Sequence, residues 1–438
     1  MANRIRPFTR IKWGLFRIFE RLSDLRGNSA GGHLELALPD RALQSIWVFV
    51  STIGELNAID PLLREIAARV PKLKLVLITD HSHYRESYLA RYPSAEVCIT
   101  RGHGTDAVML VKHYPPQLLV VAEIPCWPSD APCRFSFAFL LEAKQAGAVT
   151  VLVNAWLYLY APPSRMDRIE RHLFQRDYLR AFDAIGAQTQ EMRLQLLTAG
   201  ANAARVAVTG NIKFDAMQQP DWSPANARSP VMLTALCNSL RPVIVAGCLT
   251  DFAEQEMVLD AFVTARARHP NALLVLAPRH PEVTEPMVAL RDHLEQRRLP
   301  TAFRSLLADI PIADSIACMV LDTMGELRDF YAAATVAHVG VDHNVLEPLG
   351  FGKPVTVQPG WNTTYPSYPV YRLLMDARAL MEVTAADQLS GHWLDLINNA
   401  NHYREQIAAI NETLTHARGA VKRHLDLITP LMPAPIRP

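Results

Sequence analysis

Residues 45–56 read Ser45-Ile46-Trp47-Val48-Phe49-Val50-Ser51-Thr52-Ile53-Gly54-Glu55-Leu56, a β-rich apolar run, a tight turn and a helix start. The same kind of run recurs at 74–78, 118–121, 149–153, 243–246, 272–277, 318–321, 336–339 and 354–357, with helical stretches such as 61–70, 138–146, 254–268 and 285–297 between them. Short apolar strands alternating with periodic helices predict parallel sheets covered by helices on both faces. The runs fall into two sets, and 218–229, with Pro220, Pro224, Asn226 and Ser229, reads as the linker between them. The expected organisation is a basic segment over 1–40, an α/β domain over 41–215, a linker over 216–240, a second α/β domain over 241–380 and closing helices over 381–438, where Trp393, Leu394 and Ile397 have helical spacing.

Composition bounds the function. A chain of 438 residues suits two or three domains, and with half its residues hydrophobic and a fifth charged it is neither disordered nor collagen-like. Its six cysteines form no C-x-x-C pair, which excludes a zinc framework or a secreted disulfide pattern of the usual kind. No run approaches the ~18–20 apolar residues of a membrane span, and no signal-peptide core is present. The net charge of +1 argues against a protein that coats nucleic acid, but it conceals a split. Seven basic and two acidic side chains fall within 1–26, so the remaining residues carry −4.

In that basic segment Arg4, Arg6, Arg10, Lys12, Arg17, Arg21 and Arg26 interleave with Phe8, Ile11, Trp13, Leu15, Phe16, Ile18, Phe19 and Leu22. The spacing predicts an amphipathic helix that can lie in the headgroup region of an anionic membrane. The alternative is a helix packed on its own domain with a solvated basic face.

The turn that opens the first set has an echo, since Thr52-Ile53-Gly54-Glu55-Leu56 is matched by Thr323-Met324-Gly325-Glu326-Leu327. T-x-x-E is a capping box, in which the threonine hydroxyl and the glutamate carboxylate satisfy orphan N–H groups of a helix start. Position adds a second reading, because ligands of open α/β sheets bind outside the carboxyl ends of the strands, where both turns are expected.

Six collinear segments carry a family resemblance: 51–55, Glu123 through Trp127-Pro128, Gly210-Asn211-Ile212-Lys213-Phe214-Asp215, Ala277-Pro278-Arg279-His280-Pro281, 322–327, and His343-Asn344-Val345-Leu346-Glu347-Pro348. Over roughly residues 45–375 the chain resembles the Kdo (3-deoxy-D-manno-oct-2-ulosonic acid) transferases, inverting glycosyltransferases of GT-B architecture that use CMP-Kdo. The resemblance implies two Rossmann-like domains facing a cleft, the first for the acceptor and the second for the nucleotide sugar. It implies no cofactor or obligatory metal, a lipid A-type or other glycan acceptor, and a peripheral place on the cytoplasmic face of a bacterial inner membrane.

Glu55 then matches the general base, unless it folds back as a cap. Gly54 and Glu123 fall on the acceptor side, with an ion-paired strand-end carboxylate as the alternative for Glu123 and core packing for Trp127-Pro128. On the donor side Arg279 suits a phosphate with its planar, permanently charged fork. Met324, Gly325, Glu326 and Leu327 offer backbone N–H groups, Glu347 would accept from ribose hydroxyls, and Asn344 could bond base, ribose or phosphate. His280 joins them, or donates to a loop carbonyl. Lys213 is a candidate partner of the sugar carboxylate, or a surface lysine.

The chain also departs from the family pattern. Pro125 replaces the second acid of E-x-E-x-W-P, Trp156 replaces the arginine of N-A-R, Gly340-Val341-Asp342-His343 shortens a Gly-rich loop, and Gly247-Cys248-Leu249-Thr250-Asp251 loses a Ser-Thr-His order. These changes mark a divergent member, and keep open a non-catalytic relative in envelope assembly or a UDP-sugar enzyme of the same architecture.

Overall fold

The computed structural model describes residues 7–24, 34–100, 104–123, 137–157, 165–217, 222–363, 365 and 367–432. Pro125, Trp127-Pro128, Arg4, Arg6 and Arg26 lie outside them. The chain divides into two compact units, the first formed by residues 1–216 together with 417–438, the second by 217–416.

Unit 1 holds one seven-stranded sheet of β1 (Ser45–Phe49), β2 (Lys74–Thr79), β3 (Glu96–Ile99), β4 (Pro116–Ala122), β5 (Val149–Ala155), β6 (Ala184–Ala187) and β7 (Val206–Val208), in the order β3-β2-β1-β4-β5-β6-β7. Unit 2 holds another, of β8 (Val243–Leu249), β9 (Leu273–Pro278), β10 (Thr301–Phe303), β11 (Cys318–Val320), β12 (Val336–Val339), β13 (Val355–Val357) and β14 (Met381–Glu382), in the order β10-β11-β9-β8-β12-β13-β14. All the strand pairings are parallel. Trp47, Phe49 and Val121 point to one face of the first sheet, and Val48, Val120 and Val153 to the other, so both faces are apolar and need helix cover. In each sheet the order reverses beside the first strand, between β1 and β4 and between β8 and β12, which makes two switch points where loops splay apart and a ligand can enter.

Every apolar run read from the sequence is a strand, and five more are short and were not apparent: β3, β6, β7, β10 and β14. β6 is Ala-Ile-Gly-Ala, a segment with almost no β-branched signal that is a strand because its neighbours bury it. The helix read from Pro61 begins earlier, at Ile53, with Pro61 inside it.

The expected linker holds structure. Pro230–Cys237 is a helix of unit 2 that buries Met232, Leu233 and Leu236, an apolar stripe a linker would not carry. The closing helices also divide. Ala386–Asn398 and Ala400–Ala417 belong essentially to unit 2, whereas Ala420–Ile428 returns to unit 1 and buries Ala420, Leu425 and Ile428 with Leu56 and Ile59.

The N-terminal helix Pro7–Asp24 packs on unit 1 along one side. Its Phe16 is buried and its Trp13 packs edge-on to Phe137 and Phe174, while Lys12 pairs with Asp177 at 2.5 Å. The opposite side leaves Phe8, Ile11, Leu15, Ile18, Phe19 and Leu22 each at least half exposed. No described helix is long and apolar enough to cross a membrane.

Asp215 fastens the returning helix, since its two carboxylate oxygens accept from the N–H groups of Gly419 and Val421, both at 2.6 Å. A carboxylate at a helix N-terminus gains both hydrogen bonds and dipole energy. Asp215→Ala is expected to lower unfolding stability by about 1–3 kcal/mol, read by urea denaturation; an unchanged midpoint would show that this clamp carries no load.

Candidate functional site

At the switch point of unit 1, Thr52 caps the helix Ile53–Arg69, its hydroxyl oxygen accepting from the Glu55 N–H at 3.2 Å. Glu55 is 4 % exposed, and its Oε2 accepts from the Ser51 N–H at 2.6 Å. The carboxylate therefore folds back one residue beyond the capping-box position, at the carboxyl end of β1. Ser51 in turn donates from Oγ to Asp80 Oδ1 at 2.6 Å, tying the ends of β1 and β2 together. Gly54 lies in the first helical turn with room for a Cβ.

Glu123 follows β4 on the other side of that switch point, in the left-handed region at φ 51° and buried. Its Oε1 meets Lys213 Nζ at 2.7 Å and accepts from Asn154 Nδ2 at 2.9 Å. The alternative of an ion-paired strand-end carboxylate is the geometry found. Lys213, read as a partner of the sugar carboxylate or a surface lysine, lies in unit 1 and pairs with Glu123. Trp156, where the family has arginine, is buried in the core and donates its N–H to the Glu123 carbonyl.

In unit 2 the two T-x-G-E turns prove unequal. Gly325 has φ 86°, the helix starts only at Leu327, and Thr323 caps nothing. Its hydroxyl instead donates to Glu326, whose carboxylate also takes Ser229 Oγ at 2.6 Å and Arg304 Nη2 at 3.1 Å. Burial alone would raise the Glu326 pKa, but these partners outweigh it and hold the group below the ordinary carboxylate range. Met324 is exposed, and its carbonyl accepts from Arg228 Nη1 at 2.7 Å. The first N–H groups of the helix from Leu327 have no acceptor inside it.

Around the switch point between β8 and β12 stand Arg279, exposed at the end of β9, and His343, whose Nε2 lies 3.0 Å from Thr250 Oγ1. Burial, then Arg279 and His280, push the His343 pKa down to about 4. His280 is itself exposed and pairs with Glu282 at 3.1 Å rather than with a loop carbonyl. Asn344 accepts from the Leu346 N–H and donates to Glu347 Oε1 at 3.2 Å. Burial raises the Glu347 pKa, opposed by Arg328 and Asn344.

The loop 340–343 is packed against its support. A Cβ at Gly340 would lie 2.3 Å from the Cys248 carbonyl, and one at Gly247 2.0 Å from the Tyr331 hydroxyl. Beneath it the buried His338 bridges Glu254 Oε1 at 3.1 Å and Thr356 Oγ1 at 3.0 Å. Thr250, His343 and the Glu254–His338 pair escaped the sequence reading as site residues. Among the described residues no cluster of three metal-ligating side chains occurs.

Residues 17–216, almost the whole of the N-terminal part of unit 1, match the family model described as 3-deoxy-D-manno-octulosonic-acid transferase (kdotransferase). A 3-deoxy-D-manno-octulosonic acid transferase of Bordetella pertussis is 28% identical over 437 residues, covering 92% of this chain and 94% of its own. One of Haemophilus influenzae is 25% identical over 398 residues, covering 89% and 87%. Over residues 17–216 the chain is similar to the Kdo transferase family. Among solved structures, the UDP-GlcNAc 2-epimerase of Neisseria meningitidis superposes with a TM-score of 0.60 at 15% identity, covering 89% of this chain and 100% of that one, a likeness of fold. The Kdo transferase model takes in Glu55, Glu123 and Lys213, while Arg279, Asn344 and Glu347 lie in the part reached by the full-length relatives.

His343 and His424, whose pKa is also pushed down to about 4 by burial, are both neutral in the fold. Unfolded histidine titrates near 6.5, so the stability they contribute is complete above about 6.5 and is lost as pH falls toward 4. Urea midpoints measured from pH 7 to 4.5 should fall, and less steeply for His343→Asn than for wild type; equal slopes would contradict the buried, neutral state of His343.

Proposed function

We propose that this chain is an inverting glycosyltransferase that moves Kdo, or a closely related acidic ulosonic sugar, from its CMP-activated donor to a lipid A-type acceptor. The observation that carries this reading is the match of about nine-tenths of the chain, both units included, to curated Kdo transferases. Unit 1 takes the acceptor and unit 2 the nucleotide sugar.

In this scheme Glu55 accepts the proton of the acceptor hydroxyl as that oxygen attacks the anomeric carbon of Kdo. The bond to the phosphate oxygen breaks, CMP leaves with the electron pair, and the configuration inverts. Arg279 and the N–H groups of Gly325, Glu326 and Leu327 meet the charge on the departing phosphate. Glu347 accepts from the ribose, held by Asn344, and His280 stands at the rim. Since the leaving group departs as CMP against these donors, the scheme calls for no metal ion. Before Glu55 can act it must exchange the Ser51 N–H for the acceptor, a rearrangement supported by its place at a strand end and its match to the family motif.

The N-terminal helix supports a peripheral place on the cytoplasmic face of an anionic membrane. Six large apolar side chains stand exposed on it while Trp13 and Phe16 fix it to unit 1, so the stripe is presented rather than buried. Removing the helix would also remove core packing. The sharper test replaces Ile11, Leu15, Ile18 and Leu22 by serine, with liposome sedimentation expected to fall about tenfold or more on anionic vesicles; undiminished binding by a folded variant would overturn the membrane assignment.

Release of CMP from CMP-Kdo in the presence of a lipid A precursor tests the base. Glu55→Gln should lose at least 100-fold in kcat and keep CMP binding, as read by thermal shift. Full activity in the variant would make Glu55 a cap residue, and a wild-type protein that neither turns over nor binds CMP would favour a non-catalytic relative.

A further inference from the structure

Asn154, at the end of β5, is fully buried and left-handed at φ 52°, a conformation that costs a non-glycine residue about 1 kcal/mol or more. Four separate segments hold it there. Its carbonyl accepts from Gln188 Nε2 and its Oδ1 from the Ile212 N–H, both at 2.9 Å, while its Nδ2 donates to Glu123 Oε1 at 2.9 Å. Its own N–H goes to Nε2 of His424, 3.0 Å away and 270 positions along the chain.

The chemistry of that last contact is fixed. The Ala420 carbonyl, 2.8 Å from Nδ1, can only accept, and the Asn154 N–H can only donate, so His424 carries its proton on Nδ1 and presents the Nε2 lone pair. The ring is fully buried, and Thr209 Oγ1 lies 3.0 Å from the same nitrogen. Room for it exists because residue 186 is glycine, where a Cβ would approach Nε2 to 2.6 Å. For packing alone an apolar side chain would fit this helix face, which also carries Leu425 and Ile428. What imidazole adds is one acceptor, aimed at the N–H of the residue whose carboxamide grips Glu123.

We infer that His424 is a positioning residue for the acceptor side of the site, holding Asn154 in its left-handed turn so that the carboxamide sets the Glu123–Lys213 pair. The inference rests on the proposed transferase reading, and it makes the C-terminal helix a functional part of unit 1. Loss of the Nε2 acceptor frees Asn154 to relax out of the left-handed region, and Glu123 then loses one of the two donors that aim its Oε1.

Two amide variants of the full chain separate this role from packing. His424→Asn places its amide near the Nδ1 position and loses the acceptor for Asn154, whereas His424→Gln can bring an amide oxygen to the Nε2 position. With acceptor and CMP-Kdo varied in turn, His424→Asn should raise the acceptor KM about tenfold, the equivalent of 1.4 kcal/mol, with the donor KM unchanged, and His424→Gln should come back to within about threefold. An unchanged acceptor KM in a folded His424→Asn protein, or donor and acceptor KM rising together in both variants, would overturn the inference.

Histidine 15N NMR on the wild-type protein reads the same contact if neither variant folds. It should find one histidine with an unprotonated, hydrogen-bonded Nε2 at pH 7, perturbed by a soluble lipid A-type disaccharide and not by CMP; an Nε2-protonated tautomer, or a resonance indifferent to the disaccharide, would contradict the role. A wild type that transfers nothing while its histidine resonance still responds to the disaccharide would sink the transferase reading and leave the positioning role standing.

Discussion

A parallel strand cannot pass the chain to its neighbour without a crossover back to the starting edge. That constraint governs this molecule, because the pairings within both seven-stranded sheets are parallel. Every turn from a strand into the next crossover therefore gathers at one edge of its sheet, and the side chains with chemistry to offer gather there too. Glu55 follows β1, Glu123 follows β4 and Asn154 closes β5. In unit 2 Thr250 follows β8, Arg279 follows β9, and His343 and Asn344 follow β12. The central strands are largely apolar and buried on both faces, so polar side chains concentrate at their ends.

At those ends two similar turns have taken different parts. Glu326 is held by a serine, a threonine and an arginine, so its charge is fixed in place and can organise only its own loop. Glu55 instead takes the Ser51 backbone N–H at the end of β1. The difference follows from Gly325, whose left-handed φ delays the second helix start to Leu327 and leaves the threonine to bond the carboxylate directly, whereas Thr52 caps the Glu55 N–H.

The alternation of strands and helices was legible because each strand core is a run of β-branched and leucine residues, and Glu55 was legible because its turn is local. β6 and β7 were not, since their short segments carry weak patterns and become strands through burial by neighbours. The Glu123–Lys213 pair joins residues 90 positions apart, and His424 reaches Asn154 across the whole of unit 2; no local spacing encodes such contacts. The N-terminal helix was read as either membrane-bound or packed; Trp13 and Phe16 pack it on unit 1, and the Ile11, Leu15, Ile18 and Leu22 stripe on its other side is exposed.

On the proposed function, the residues at these strand ends transfer an acidic ulosonic sugar. Mass spectrometry of a lipid A precursor after incubation with the full chain and CMP-Kdo tests it most directly. The acceptor should become heavier by at least one Kdo residue, with one CMP released for each sugar added. An acceptor of unchanged mass, with the donor consumed no faster than without the protein, would contradict it.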